Sequence, residues 1–237
     1  MRRALALLAA AAIMLLGSSS PCREASAVTP EEKASSAVIE EETVSTDAEK
    51  IDWQALRQEN PDTAGWITVP GTCIDFPVVR GEDDTEYLRK AFDGTYSVWG
   101  TPFFSSSSGP ESRNLIMYGH SGPGGRMFGE LEDYAAAEDR REPVLLCLPE
   151  GDFECRLISI FRTDMSLLSW HGWQVDSFPD EADERTFFFT AEELSCVDSS
   201  VPFLPGSRYL TIQTCSFDSD GNNDGRLVAI FLMKPYG

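Results

Sequence analysis

Three residues of this chain have side chains suited to acyl transfer. His120 and Cys215 each end an apolar run with the composition of a buried strand, and Arg226 begins another such run. A cysteine thiolate attacks carbonyl carbons, and a neighbouring imidazole or guanidinium favours the thiolate. An imidazole exchanges protons near neutral pH, and the planar guanidinium fork stabilises an oxyanion or holds a carbonyl. Together the three predict a site for nucleophilic attack on a carbonyl carbon.

These residues must be positioned by β-strands, because short apolar runs between Gly, Pro, Asp and Ser clusters fill the chain from Ile51 onward. The predicted strands are Gly65–Val69, Ile74–Val79, Thr101–Phe104, Leu115–Gly119, Val144–Leu148, Phe153–Phe161, Arg208–Cys215 and Leu227–Met233. Eight short strands with few helices favour a closed or nearly closed β-barrel over a doubly wound sheet. A hairpin joins the last two strands, so Arg226 is expected beside Cys215.

Helices are predicted at a few points between the strands. Asp52 is a good N-cap for a short helix that Asn60-Pro61 would stop. Further helical patches are predicted over Thr85–Phe92, Met127–Ala137 and Ala191–Val197. Residues Thr163 to Gly206 form a long insertion between two strands, the kind of segment in which functional loops occur.

Composition excludes several classes of function. The formal net charge of −20 repels phosphate backbones, so no nucleic-acid partner is expected. With only two histidines, a multi-histidine metal site is disfavoured, and we expect neither a metal nor an organic cofactor. The stretch Gly122–Gly125 lacks the Lys-Ser/Thr pair of a phosphate loop. The other histidine, His171, lies between two tryptophans in the insertion and is interpreted as a packing or surface residue.

The first 27 residues have the pattern of an export signal or membrane anchor. Arg2 and Arg3 precede the apolar run Ala4–Leu16, and Ala25-Ser26-Ala27 offers a cleavage site. Residues 28–50 are an acidic flexible spacer without an apolar period, and residues 51–237 form the predicted catalytic domain. We therefore expect an exported protein. Its membrane contact would be limited to the N-terminal segment.

Six cysteines raise the question of disulfides in an exported chain. Without the leader, and with Cys215 unpaired, the remaining four permit three pairings or none. Cys147 and Cys155 flank a turn, so they are candidates to face each other across a hairpin. No Cys-x-x-Cys spacing occurs, which disfavours structural zinc.

Two acidic segments have alternative interpretations. Asp218, Asp220, Asn222 and Asp224 alternate like the ligands of a calcium loop, but the glycines stand at the wrong places and Ala229 replaces the closing Glu. A solvated hairpin loop is therefore favoured over a calcium site. Glu130 and Asp133 are interpreted as the solvated face of the helix that follows the glycine-rich loop.

The order and spacing of several motifs resemble the class B sortases, a family of cysteine transpeptidases of Gram-positive bacteria. The segments that carry the resemblance are Asn60-Pro61-Asp62, Gly65-Trp66-Ile67, Pro70-Gly71-Thr72, Ile74–Val79, Tyr87-Leu88, Phe92-Asp93-Gly94, Tyr118-Gly119-His120, Met127-Phe128-Gly129, Leu210–Cys215 and Arg226-Leu227-Val228. The resemblance implies a mainly β fold with an eight-stranded barrel, an N-terminal helical extension and a helix in the insertion between the sixth and seventh strands. It also implies that His120, Cys215 and Arg226 are catalytic, and that Thr214 and Leu88 contact substrate.

The activity implied by the resemblance is cleavage of a C-terminal sorting signal on surface proteins, at the outer face of the cytoplasmic membrane or in the cell wall. Cys215 would form a thioacyl-enzyme, which an amine of a peptidoglycan cross-bridge or a pilin lysine would resolve. His120 would protonate the departing amine and later deprotonate the incoming amine, and Arg226 would stabilise the oxyanion. Two alternatives remain open from the residues: a secreted cysteine peptidase that hydrolyses the acyl-enzyme, and a surface binding barrel without turnover.

Overall fold

The structure, a computed structural model, describes residues 51–138, 141–164, 175–216 and 225–236. At positions 164, 215 and 216 the description is limited to the backbone. The leader, the spacer, His171 and the acidic loop 218–224 lie outside the described residues, as do their predictions. The described residues belong to one compact unit.

Eight strands close into a barrel, which confirms the predicted mainly β fold. The barrel order is β1-β2-β3-β4-β9-β10-β8-β7, and a two-stranded sheet, β5-β6, lies beside it. The bounds are β1 Thr63–Thr68, β2 Asp75–Val79, β3 Phe103–Phe104, β4 Asn114–Gly119, β5 Ser121–Gly122, β6 Arg126–Met127, β7 Val144–Leu148, β8 Gly151–Asp164, β9 Arg208–Ser216 and β10 Gly225–Pro235. Each predicted strand corresponds to one barrel strand, with ends that differ by a few residues.

Strand β10 shows why the apolar runs look continuous in the sequence. Leu227, Ala229 and Phe231 belong to the cluster that fills the barrel. The alternate residues Val228 and Ile230 belong to a second cluster. Because both faces of the strand are covered, nearly every position is apolar.

Helices cover the barrel at three places in the described chain. The bounds are α1 Trp53–Glu59, α2 Leu131–Ala136 and α3 Glu181–Leu194, and short 3-10 helices span Glu86–Leu88 and Phe128–Glu130. As predicted, Asp52 caps α1, accepting hydrogen bonds from the backbone N–H groups of Gln54 and Ala55. None of the helices in the described part of the chain has the length and hydropathy of a transmembrane span.

The bounds of the helices differ more from their predicted bounds than those of the strands do. Of the patch Thr85–Phe92, only the 3-10 turn at Glu86–Leu88 is helical. The helix of the insertion begins at Glu181, well before the predicted Ala191, and ends at Leu194. Its start depends on the Asp180 cap and on Phe187 and Phe188, which pack against the barrel wall. Burial on that wall outweighs the modest helix propensity of aromatic residues.

Glu184 fastens α3 to the barrel. The residue is 1% exposed, and its side chain accepts hydrogen bonds from the Tyr209 hydroxyl at 2.9 Å and the Gly206 N–H at 2.9 Å. Arg113 completes the cluster with an ion pair of 2.6 Å. Burial alone would raise the pKa of the Glu184 carboxyl, but these donors outweigh burial and lower that pKa. A carboxylate supplied with so many donors is a structural clamp.

The hairpin pairing of Cys147 with Cys155 is wrong. The β7–β8 register places Cys147 opposite Asp152 and Cys155 opposite Val144. Cys155 is buried in the barrel core, whereas Cys147 is partly exposed, so the two lie on opposite faces of the hairpin. Both carry free thiols, as does the exposed Cys196. Cys73 is disulfide-bonded.

Candidate active site

His120 directly follows strand β4 and is placed by a tight contact one residue earlier. A Cβ atom at Gly119 would lie 2.6 Å from Cδ2 of the Phe128 ring, so only glycine allows that ring to pack on the strand. The backbone N–H of Phe128 also donates to the carbonyl oxygen of His120 at 3.0 Å. Phe128 is 1% exposed and belongs to the barrel core. The backbone of His120 is therefore anchored to the packed interior.

The imidazole of His120 meets the predicted substrate residue Leu88. Nε2 of His120 lies 2.9 Å from the carbonyl oxygen of Leu88. Leu88 is 36% exposed, so its side chain is available to a ligand. These two residues are far apart in sequence, and the structure brings them together.

The register of two strand pairs brings the predicted catalytic residues to one site. In the parallel pair β4–β9, Gly119 lies opposite Thr214, so His120 and Cys215 are the next residues of adjacent strands. In the antiparallel pair β9–β10, Cys215 lies directly opposite Arg226. The backbone therefore supports the predicted grouping of His120, Cys215 and Arg226, which we call the trio. The guanidinium of Arg226 donates to the carbonyl oxygen of Gly225 at 2.9 Å.

Thr214 neighbours Cys215 but is not at the surface. Its side chain is 2% exposed, and its register partners are Gly119 and Leu227. The Oγ1 atom is buried and makes no hydrogen bond with any described residue. An unsatisfied buried hydroxyl is costly, so its presence beside a candidate nucleophile is a notable feature of the site.

A small hairpin follows His120 and is tied to the turn between β1 and β2. Strands β5 and β6 pair Ser121 with Met127. Glu130, at the end of the following 3-10 helix, accepts a hydrogen bond from the backbone N–H of Cys73 at 2.6 Å. The interpretation of Glu130 as a solvated residue is therefore wrong, because its carboxylate links two loops near His120. No local sequence pattern indicates this contact. The only signal in the sequence is that residue 130 is a glutamate, whose carboxylate can accept a hydrogen bond.

An aromatic contact completes the surroundings of the hairpin. The Trp99 ring packs against Gly122, and Arg126 lies over that ring at 5.6 Å from its centroid. The segment that carries Leu88 and Trp99 and the segment that carries His120 therefore form one packed unit. Among the described residues, no cluster of His, Cys, Asp or Glu could hold a metal ion.

Two curated proteins align with most of the chain. Sortase B of Staphylococcus aureus is 24% identical over 182 residues, which cover 75% of this chain and 72% of that protein. Sortase B of Listeria monocytogenes is 26% identical over 179 residues, which cover 73% and 70%. The chain is therefore similar to sortase B proteins over about three quarters of its length. This confirms the resemblance inferred from the motifs and supports, at the level of the family, a sortase-type cysteine transpeptidase.

The fold agrees with this homology. A solved structure of a Staphylococcus aureus sortase B–substrate complex superposes with a TM-score of 0.70 at 23% identity, covering 78% of this chain and 85% of that chain. At this identity the likeness establishes the sortase fold. No family model matches the chain.

Proposed function

We propose that this chain is a class B sortase that cleaves a C-terminal sorting signal of surface proteins and transfers the new carboxyl end to an amine. The observation that carries the proposal is the strand register, which places Arg226 opposite Cys215 and places His120 directly after the adjacent strand β4. Homology to two sortase B proteins supports the reaction class.

Each residue of the trio has a distinct role in the proposed reaction. The Cys215 thiolate attacks the scissile carbonyl carbon, and the Arg226 guanidinium stabilises the oxyanion that forms. His120 protonates the departing amine as the carbon–nitrogen bond breaks and a thioester remains on Cys215. An incoming amine then attacks the thioester, gives its proton to His120 and displaces the thiolate. No cofactor takes part in this scheme.

Leu88 and Thr214 are the proposed substrate-binding residues. Leu88 has an exposed apolar side chain, as a groove wall would require, and its backbone carbonyl contacts the His120 imidazole. Thr214 carries a buried hydroxyl without a hydrogen-bond partner in the described chain, so contact with substrate requires that binding opens access to it. A homologous sortase B has been solved as a substrate complex, which favours a peptide groove at the corresponding place here.

The partners are a surface protein that bears a sorting signal and an amine acceptor, either a peptidoglycan cross-bridge or a pilin lysine. Such partners require an exported enzyme at the outer face of the cytoplasmic membrane or in the cell wall. The apolar N-terminal run, preceded by Arg2 and Arg3, supports this location.

The function is tested by incubating the full chain with a panel of sorting-signal peptides, with and without small amines, and analysing products by mass spectrometry. We expect an amine-ligated product from the wild type and none from Cys215→Ala. Free acid as the sole product, at every amine concentration, would show that the protein is a peptidase and not a transpeptidase. No cleavage, together with no selectively reactive Cys215 thiol, would indicate a binding barrel without turnover.

A further inference from the structure

The contact between His120 and Leu88 limits which ring nitrogen of His120 can exchange protons with the departing and incoming amines. A carbonyl oxygen has no proton to give, so Nε2 of His120 must be the donor across the 2.9 Å contact. We infer that the Leu88 carbonyl holds the neutral imidazole as its Nε2–H tautomer and makes Nδ1 the atom that exchanges protons with the two amines. The catalytic part of this inference rests on the proposed function.

The Leu88 carbonyl is held in place by a network of hydrogen bonds within the segment 85–101. The backbone N–H of Leu88 donates to Thr85 O at 3.2 Å, and the N–H of Thr101 donates to Tyr87 O at 3.1 Å. Arg89 reaches across the loop to Val98 O at 2.7 Å. A carbonyl fixed from both sides in this way is preorganised for the imidazole, so no ordering is needed during the reaction.

Gly100 is the residue that lets this network close. Its φ is +62°, and a Cβ atom there would lie 2.8 Å from the carbonyl oxygen of Leu88 and even nearer to that of Tyr87. Gly94 in the same loop also has a positive φ, +82°, yet its Cβ position is open. The two glycines therefore share the backbone strain that any side chain would cause, and differ in the collision with the Leu88 carbonyl.

The protons balance in this scheme. The doubly protonated imidazole keeps its Nε2–H on the Leu88 carbonyl while the Nδ1 proton passes to the departing amine as the carbon–nitrogen bond breaks. The imidazole is then neutral and already has the Nε2–H tautomer. Its Nδ1 lone pair takes the proton of the incoming amine as that amine forms the new bond and the Cys215 sulfur leaves. No ring rotation or tautomer exchange is required between the two halves of the reaction.

The tautomer can be measured without any assay of activity. Because the chain has only two histidines, long-range ¹H–¹⁵N correlation spectra of the full chain should contain two ring systems, and His171→Gln assigns the remaining one to His120. At a pH where the ring is neutral, we expect a protonated Nε2 and an unprotonated Nδ1. A neutral His120 with its proton on Nδ1, or an even mixture of tautomers, would overturn the inference.

The role of the carbonyl is tested by Gly100→Ala against Gly94→Ala. We expect Gly100→Ala to lose the Nε2–H preference and to lower kcat by about 10–100-fold, because small misplacements of a catalytic group carry costs of this size. Gly94→Ala should keep the wild-type tautomer and kcat, and near-UV circular dichroism should show both variants folded. An unchanged tautomer in folded Gly100→Ala would overturn the role of the carbonyl. If Gly100→Ala does not fold, the wild-type tautomer decides the inference.

The two proposals fail separately. Peptide transfer by a wild type whose neutral His120 carries its proton on Nδ1 would refute the inference and leave the transpeptidase intact. A firm Nε2–H tautomer in a protein that transfers no peptide would support the positioning role of Leu88 and refute the proposed reaction.

Discussion

Cys215 and Arg226 lie directly opposite each other in the β9–β10 ladder, on either side of the loop that joins those strands. Cross-strand neighbours remain close whatever the loop between them does, because the ladder hydrogen bonds fix their separation. The proximity of Cys215 and Arg226 along the backbone therefore depends on the pairing of β9 with β10 and not on the loop between them.

The first prediction concerns the reactivity of the cysteines. Burial raises the pKa of the Cys147 thiol to about 12 and also raises the pKa of the Cys155 thiol, so neither is a thiolate at neutral pH. In a Cys196→Ala background, which removes the exposed free thiol, we expect a mild alkylating agent to modify Cys215. Peptide mapping by mass spectrometry checks the site. Labelling that persists at the same rate in Cys196→Ala/Cys215→Ala would count against Cys215 as the nucleophile.

The second prediction separates the charge of Arg226 from its geometry. Arg226→Lys keeps the positive charge but loses the planar fork, so we expect kcat/KM to fall by about 10²–10³-fold, as for loss of an oxyanion donor. Arg156→Lys, an exposed site paired only loosely with Glu154 at 3.6 Å, serves as the control and should retain full activity. Equal activity of the two variants would remove Arg226 from the proposed mechanism.

The third prediction tests the packing that places His120. Gly119→Ala puts a Cβ atom into the Phe128 ring, so we expect loss of activity and a lower free energy of unfolding, by about 1–3 kcal/mol. Gly109→Ala is the matched control, since open space surrounds its Cβ position. Urea unfolding measures the stability. Combining Gly119→Ala with Phe128→Leu should cost less than the sum of the single changes, because the second opens room for the first. Strict additivity would contradict the steric account.

The fourth prediction is a pH dependence that arises at Glu184. Its pKa is lower in the folded protein than its usual value, so the resulting stability is present above the unfolded pKa and is lost as pH falls through the folded pKa. We expect the free energy of unfolding to decline in the acid range, and Glu184→Gln to flatten that decline while destabilising the protein at neutral pH. Glu193→Gln, at an exposed position of the same helix, should behave as wild type. Parallel pH profiles for wild type and Glu184→Gln would refute the assignment.

The fifth prediction uses the unsatisfied hydroxyl of Thr214. Thr214→Val removes the hydroxyl at nearly constant shape, so we expect unchanged or greater stability in urea unfolding, by up to about 1 kcal/mol. If the bound substrate forms a hydrogen bond with this hydroxyl, Thr214→Val should have a lower kcat/KM, and Thr214→Ser should retain most of the wild-type value. A fully active Thr214→Val would leave Thr214 without a role in substrate binding.

Much of the barrel follows from local patterns. Runs such as Leu115–Gly119 and Leu227–Met233 are apolar because strand residues are buried on one or both faces, and turn residues mark their ends. The same reasoning placed Cys215 and Arg226 at the ends of hairpin strands. Their pairing was predictable because a hairpin brings its flanking residues together.

Local sequence patterns do not predict contacts between distant segments. The meeting of His120 with the Leu88 carbonyl, the clamp of Glu130 on the Cys73 backbone and the burial of Glu184 all join separate parts of the chain. Likewise, the face on which Cys147 or Cys155 lies depends on register, and a shift of one residue reverses it.

The strands and the resemblance to the class B sortases could therefore be predicted from residue type and order along the chain, and the chemistry of the trio is a prediction of the same kind. The start of α3, the free thiols of Cys147 and Cys155 and the partner of the His120 ring could not be predicted in this way. These depend on which strands become neighbours when the barrel closes, and closure is a property of all eight strands together.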